Sequence, residues 1–357
     1  MTLIFSLLSR FVMQWLMVLL ALSGLLMVFD LLANADNVLK FHPGEVLPLW
    51  HYTILRVQQI ISFVLPLAVL IAAMAVLARM VLSQEMVILH AVGIPVFYVL
   101  GVLGCATAAI AFLHLAFANT VLPHSSATLY RWQEEDYRGK PSAAPMQIAT
   151  DWVSDGSTFM HIEAVSDQGR SLRGVVVVER DEKNIIRHYL TATRATYRDG
   201  AWLLEGVHEI GDSGTTSDTP SETIIKQLPF EPKTLRLTGI REEELSYNDL
   251  LTLMDKTEAT DDTSRPYEFW FHRKLAYPFS SLIMLLIAAP IGLQLARRNH
   301  MLRASFCCVM AGFMFYVVQQ LLASLGETGV LPPLLAAWAP MVLGAAIGNW
   351  VLLQWES

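Results

Sequence analysis

The stretch at residues 83–93, "SQEMVILHAVG", decides how this sequence is interpreted. It is mostly apolar but carries one carboxylate, Glu85, and Gly93 and Pro95 limit it to about three helical turns. A helix of that length is too short to cross a bilayer, which takes about 20 residues. The stretch is also too apolar for a solvated loop, and it lies between two strongly hydrophobic segments. The sequence therefore predicts a short surface helix that connects two membrane spans.

The chain has 357 residues, of which 54% are hydrophobic and only 16% are charged. The apolar residues are concentrated in blocks near both ends, on either side of a polar middle. Such a composition is typical of a polytopic membrane protein with one sizeable extramembrane domain. Six segments have the length and hydrophobicity of spans, at residues 11–32, 57–78, 95–118, 275–296, 304–325 and 334–353. We therefore expect six transmembrane α-helices, three before and three after a long insertion.

The insertion changes from a helical pattern to alternating apolar and polar residues. Stretches such as "TFMHIEAV" from Thr158 and "LRGVVVVER" from Leu172 predict short antiparallel strands, as in a small sandwich or jelly roll. The sequence therefore predicts three parts. These are residues 1–118, with an interfacial helix, spans one to three and the short helix at 82–93; residues 119–273, with a β-jelly roll and flanking helices; and residues 274–357, with spans four to six.

Charge predicts the orientation of these parts. Basic residues cluster at one end of the spans, at Arg10, Arg79, Arg297, Arg298 and Arg303. The positive-inside rule places this end, both termini and the short helix in the cytoplasm, so the insertion lies outside it. The insertion holds 26 acidic and 17 basic residues, a net charge of −9, which argues against nucleic acid as a partner.

Motifs for catalysis or metal binding are weak. The "GDSG" at 211–214 matches a serine-protease signature, but a Thr/Ser/Pro loop follows it and a turn is the better interpretation. No Walker A motif is present, because Gly139-Lys140 precedes a proline and lacks the upstream glycine. The histidines and cysteines show no zinc-ligand spacing. We therefore expect no catalytic residues, no metal and no cofactor in this chain.

The short helix has the features of a docking element. Leu82, Ile88, Leu89 and Val92 are spaced to fall on one helical face, and Glu85 lies in the same stripe. Such a stripe suits a groove on another protein, where a basic or hydrogen-bonding group would meet the carboxylate. The alternative is a helix that lies on the lipid surface, but anionic lipid disfavours a glutamate without neighbouring lysines. We therefore favour docking to a partner.

Ionisable residues and prolines in the spans leave two interpretations open. Asp30 and Arg56 lie near the outer ends of spans one and two, and they either snorkel to the interface or form a polar rim on a substrate cavity. Pro66, Pro290 and Pro340 interrupt spans two, four and six, and they are either static kinks or hinges.

The order of these features resembles the lipopolysaccharide-export permeases LptF and LptG over the full length. The best local matches are "SQEMVILHAVG" for the coupling helix, "RKLAYPFSSLIMLLIAAPIGL" at the fourth span and "GVLPPLLAAWAP" before the sixth. The last of these, together with "SRFVMQWLMVLLALSGLLMVFDLL" at the start, is more similar to LptG than to LptF.

The resemblance implies a transport subunit in the bacterial inner membrane. An LptF-like sister permease would complete the cavity for lipopolysaccharide, and two copies of the ATPase LptB would bind ATP and Mg²⁺ and dock the coupling helices. LptC would add its own jelly roll, and lipid would pass through it to LptA. Glu85 matches the coupling-helix glutamate of the family.

One departure concerns the lipid headgroup. Family members carry lysines along the outer half of the first span, where this chain has Met27 and Asn34 while Asp30 is kept. The headgroup residues of this chain are therefore expected among Lys40, Arg56 and Arg131, near Asp30, unless the partner subunit supplies the charge.

Two other classes of function fit the sequence less well. One is the permease of another ABC system for lipoprotein release or mechanotransmission, which usually has fewer spans. The other is an envelope scaffold that transports nothing.

Overall fold

The computed structural model divides the chain into two units, residues 1–141 with 265–357 and residues 142–264. It describes residues 2–42, 44–139, 146–147, 152–154, 158–166, 170–180, 186–198, 200–210, 221–226, 228, 230, 232, 241–257, 265–297 and 301–356. The "GDSG" stretch at 211–214 and Arg298 lie outside these residues.

The first unit is helical. Its helices are α1 (Thr2–Leu39), α2 (Leu47–Leu82), α3 (Glu85–Ala91), α4 (Val96–Glu134), α6 (Arg265–Ala276), α7 (Ser280–Arg297), α8 (Met301–Glu327) and α9 (Pro333–Glu356), with a 3₁₀ turn at Tyr277–Phe279. Six helical stretches among the described residues are long and apolar enough to cross a membrane: Ile4–Leu39, Leu47–Leu82, Val96–Gln133, Pro266–Leu293, Ser305–Glu327 and Pro333–Gln354. This confirms the expectation of a polytopic membrane protein.

Helix α2 lies at the centre of the helical unit. In its most apolar stretch 72% of the residues are buried, compared with 17% in α1 and 28% in α8. Small residues such as Ala68, Ala72 and Ala73 are completely covered, because they let neighbouring helices approach closely. Helices α1, α8 and α9 therefore leave much of their apolar surface uncovered by the rest of the chain.

Among the described residues, the second unit contains a seven-stranded antiparallel sheet. The strands are β1 (Met146–Gln147), β2 (Trp152–Ser154), β3 (Thr158–Ser166), β4 (Ser171–Arg180), β5 (Ile186–Arg198), β6 (Ala201–Ile210) and β7 (Ser221–Lys226). They are paired in the order β1-β3-β4-β5-β6-β7, with β2 also paired to β3. This confirms a β domain, while its closure into a jelly roll stays a prediction.

One face of the sheet carries the core of this unit. Ile162 and Val175 are register partners on β3 and β4, and both are buried, as alternation along strands requires. The indole N–H of Trp202 donates to the carbonyl oxygen of Phe230 at 2.9 Å, so this buried side chain is satisfied.

A 3₁₀ turn at Glu242–Glu244 leads to helix α5 (Tyr247–Thr257). Ser246 caps the beginning of this helix. The backbone N–H of Asp249 donates to Ser246 Oγ at 3.3 Å, and the backbone N–H of Ser246 donates to Asp249 Oδ2 at 3.0 Å.

Gly348 allows α9 to pack closely on α7, and this packing can be tested. A Cβ at position 348 would lie 2.9 Å from Cβ of Leu286, whereas a Cβ at Gly104 on α4 has nothing within 4 Å. We expect Gly348→Ala to destabilise the protein by about 1–3 kcal/mol through overpacking. The control Gly104→Ala is expected to be neutral or to stabilise by about 0.5–1 kcal/mol through reduced backbone entropy. Thermal unfolding in one detergent measures both, and equal midpoints for the two variants would contradict the packing argument.

Candidate functional site

The short helix α3 is set apart from α2 by a sharp change of backbone direction. Helix α2 ends at Leu82, and Gln84 then adopts a left-handed conformation with φ of 60°. Helix α3 begins at Glu85 and is closed by Gly93, whose φ is 84° and whose N–H donates to the carbonyl of His90 at 3.0 Å. The sequence predicted a helix over 82–93, and the regular helical part covers seven of those residues.

The two faces of α3 differ from the predicted stripe. Met86 and Leu89 are only 3% and 7% exposed, because they pack into the core of the helical unit. Four neighbouring apolar side chains remain exposed; we call them the α3 surface, and they are Leu82, Val87, Ile88 and Val92. The structure thus brings together three of the predicted docking residues, turns Leu89 inward and adds Val87.

Glu85 has a partner within its own chain. Arg10 Nη1 of α1 donates to both carboxylate oxygens of Glu85, at 3.1 and 3.0 Å. The side chains of Arg10 and Glu85 are 51% and 39% exposed. The carboxylate is therefore held next to the α3 surface by a residue that sequence reasoning had used only to predict orientation.

A polar cluster lies at the opposite end of α1 and α2. Tyr52 Oη donates to Asp30 Oδ2 at 2.6 Å, and Arg56 Nε donates to Asp30 Oδ1 at 3.0 Å. Arg56 Nη2 also lies 3.0 Å from Asp30 Oδ1, and the Asp30 and Arg56 side chains are 14% and 33% exposed. Asp30 and Arg56 therefore compensate each other's charge across two helices.

The cluster continues to α4. Arg56 Nη1 donates to Gln59 Oε1, and Gln59 Nε2 donates to Ser126 Oγ at 2.9 Å. The ring of Tyr137, just beyond α4, lies edge-on to Tyr52 with centroids 6.1 Å apart, and burial raises the pKa of its phenol above the ordinary value. Three helices are thus joined by one hydrogen-bonded chain.

Two further cations at this end lie over the ring of Phe41. Lys40 Nζ lies 5.3 Å and Arg138 Cζ 4.7 Å from the centroid of the Phe41 ring. Both cations are exposed, and neither forms an ion pair with a residue that the structure describes. Arg131 is half-buried, and its Nε has no hydrogen-bond partner within the described part of the chain. Arg138 was missed by the sequence interpretation because no local pattern connects it to Phe41, which lies far from it in sequence.

Comparison with known proteins gives one family. The profile described as "Lipopolysaccharide export system permease LptF/LptG" matches residues 6–354. A relative from Escherichia coli (strain K12), the lipopolysaccharide export system permease protein LptG, is 23% identical over 348 residues, which cover 96% of this chain and 94% of the relative. The protein of the same name from Haemophilus influenzae is 23% identical over 312 residues, which cover 84% of each chain.

Removing one partner from the Asp30–Arg56 pair tests its contribution to stability. Arg56→Met leaves Asp30 as an uncompensated, mostly buried carboxylate, so we expect a loss of about 1–3 kcal/mol. Adding Asp30→Asn to this variant should recover part of the loss, because the remaining charge is removed.

The readout is thermal unfolding of the purified proteins in one detergent. A matched control is Asp36→Asn, which removes an exposed carboxylate from the same helix and is expected to stay within about 0.5 kcal/mol of the wild type. Strictly additive effects of the two substitutions would show that the pair is not coupled.

Proposed function

The chain belongs to the lipopolysaccharide export system permease family LptF/LptG, and we propose that it is the LptG-type subunit of an ATP-driven exporter. In this proposal the exporter removes lipopolysaccharide from the inner membrane and passes it to a periplasmic bridge. The observation that carries the proposal is the match of nearly the whole chain to this one family, together with six apolar helices of spanning length. An export permease is a transport subunit rather than an enzyme.

Energy is proposed to come from a separate ATPase. The sequence holds no Walker A motif, and the α3 surface exposes four apolar side chains beside a carboxylate. We propose that a dimer of an LptB-like ATPase binds ATP and Mg²⁺ and receives α3 in a groove with a basic or hydrogen-bonding group near Glu85. In this arrangement α3 and both termini are cytoplasmic, and the β unit is periplasmic.

Other partners follow from the exposed apolar helices. Residues such as Leu20 and Leu32 on α1 and Phe306 on α8 are between 67% and 75% exposed, so these faces suit lipid tails or another helical subunit. We propose an LptF-like sister permease as that subunit.

LptC is proposed to join this pair of permeases, and LptA is proposed to receive the lipid further along the path. The β unit is proposed as a jelly roll on this lipid path, and its apolar buried face is chemically suited to acyl chains.

The headgroup role is proposed for a revised set of residues. Arg56 and Asp30 compensate each other, so Arg56 has little charge left to attract a phosphate. Lys40 and Arg138 are exposed, lie on one aromatic ring and have no ion-pair partner among the described residues. We propose that these two cations contact the anionic headgroup, with Arg131 as a further half-buried donor.

Reversing the docking charge tests the function. Glu85→Lys should reduce ATP-driven lipopolysaccharide transport, because a positive side chain would face the basic or donor group of the partner. Loss of a buried charge contact costs on the order of 2–5 kcal/mol of binding free energy. The measurements are co-purification of the ATPase and lipopolysaccharide release from reconstituted vesicles.

Asp36→Lys serves as the control, since it makes the same charge change at an exposed position. Asp36 lies at the end of α1 that is far from Arg10, the residue that contacts Glu85. If α3 instead lies on anionic lipid, Glu85→Lys should strengthen that contact. Wild-type transport with normal ATPase co-purification in the Glu85→Lys variant would refute docking through this carboxylate.

Replacing both free cations tests the headgroup contact. Lys40→Ala combined with Arg138→Ala should weaken lipopolysaccharide capture while leaving assembly and basal ATP hydrolysis intact. The difference from wild type should shrink as salt rises, because exposed charges are screened beyond about 10 Å at 0.1 M ionic strength. Photo-crosslinking to lipopolysaccharide over a salt series measures this. Unchanged capture by the double variant would assign the cationic contacts to the partner subunit.

A further inference from the structure

The Arg10–Glu85 pair connects two segments that are 75 positions apart in sequence. One is the beginning of α1, and the other is the first residue of α3. Within the described part of the chain, Glu85 forms its ion pair with Arg10. This pair lies beside the apolar residues through which α3 is proposed to dock. The pair therefore places a residue of α1 in direct contact with the docking element.

Apolar residues next to the pair belong to the core of the helical unit. Leu7 and Phe11 flank Arg10 on α1 and are 6% and 0% exposed. They belong to the same hydrophobic core as Met86 and Leu89, the inward residues of α3. The beginning of α1 and the inner face of α3 therefore share one apolar core, with the ion pair at its edge.

We propose that Arg10 links the docking carboxylate to α1, and that the Arg10–Glu85 pair transmits movement of the docked α3 directly to α1. This inference rests on the proposed docking of α3. Without the pair, the covalent routes from α3 lead into α2, through Ser83 and the left-handed Gln84, and into α4. With it, a displacement of α3 also acts on α1, whose outward apolar face suits the lipid or the sister subunit.

The far end of α1 also forms polar contacts with another helix. Asp30 holds Tyr52 and Arg56 of α2, and it lies 20 positions after Arg10, about 30 Å along a helix. Helix α1 thus has a polar contact to the docking element near its beginning and another to the central helix near its far end. A movement applied at Arg10 therefore tilts α1 about the Asp30 contact.

The chemistry of the pair allows it to persist when a partner docks. A carboxylate has about four lone-pair positions, and Arg10 approaches Glu85 with a single nitrogen, Nη1. Glu85 is also 39% exposed, so a second donor from the ATPase has room to bind it. Docking therefore adds to the Arg10 contact and does not displace it.

The test uses the complete exporter, with sister permease and ATPase, in lipid vesicles. Arg10→Ala should leave ATPase co-purification unchanged, because Glu85 and the α3 surface remain. The amount of fluorescent lipopolysaccharide released per ATP hydrolysed should fall about twofold to fivefold, the range for an exposed ion pair. Arg10→Lys keeps the charge and should recover most of this ratio.

Arg79→Ala is the matched control. Arg79 is an exposed arginine in the last turn of α2, close in sequence to α3, and it forms no ion pair within the described part of the chain. It should match the wild type in released lipid per ATP. In a Glu85→Gln background, Arg10→Ala should lower released lipid per ATP by less than half of the amount by which it lowers this ratio in the wild type. The reason is that the two residues act as one unit.

Three results would overturn the proposal. A ratio for Arg10→Ala equal to that for Arg79→Ala would make the pair a surface contact without a role in transport. Tighter ATPase binding by Arg10→Ala would mean that Arg10 competes with docking. An undiminished effect of Arg10→Ala in the Glu85→Gln background would mean that Arg10 acts through another residue. All three differ from failure of the docking proposal itself, in which Glu85→Lys retains both the ATPase and transport.

Discussion

The need to compensate charge inside an apolar helical unit constrains this structure more than any other single requirement. An aspartate and an arginine in spanning helices are costly unless each finds a partner. Asp30 and Arg56 meet this requirement together, with Tyr52 supplying a third contact. Because the two residues lie on α1 and α2, their pairing also fixes the position of the outermost apolar helix against the central one.

The same requirement explains how the polar residues of the helical unit are distributed. Gln59 and Ser126 extend the cluster to α4, so three helices share one set of hydrogen bonds in place of separate, half-satisfied groups. Away from this cluster, most contacts of α2 are made by apolar side chains, but the buried Ser62 Oγ also lies 2.8 Å from Nε2 of His114 on α4. The unit therefore combines a few directional polar contacts with non-directional packing over most of its buried surface. This combination fixes the helix ends and leaves the outward faces of α1, α8 and α9 apolar.

Local patterns predicted the elements well. Uniform hydrophobicity over about 20 residues marks a span regardless of its neighbours, and alternation marks a strand with one buried face. Glycine and proline after Glu85 correctly indicated a short helix. Its rotation was harder to predict, because the left-handed Gln84 separates Leu82 from the helix that begins at Glu85. A stripe counted continuously across that break therefore includes Leu89, which is buried, and omits Val87, which is exposed.

Pairings between distant residues were not predictable in the same way. Arg10 and Glu85 were both noted from the sequence, the first for orientation and the second for docking, but no local pattern connects them. Asp30 and Arg56 offered a better clue, since opposite charges near the same ends of consecutive antiparallel spans are natural partners. That pairing also decides which cations are free to bind a ligand. Once Arg56 is matched by Asp30, Lys40 and Arg138, which both lie over the Phe41 ring, are exposed cations without an ion pair among the described residues. Charge compensation within the chain thus selects the residues available for recognition, and for that reason a candidate headgroup site must be derived from pairings as well as from the positions of basic residues.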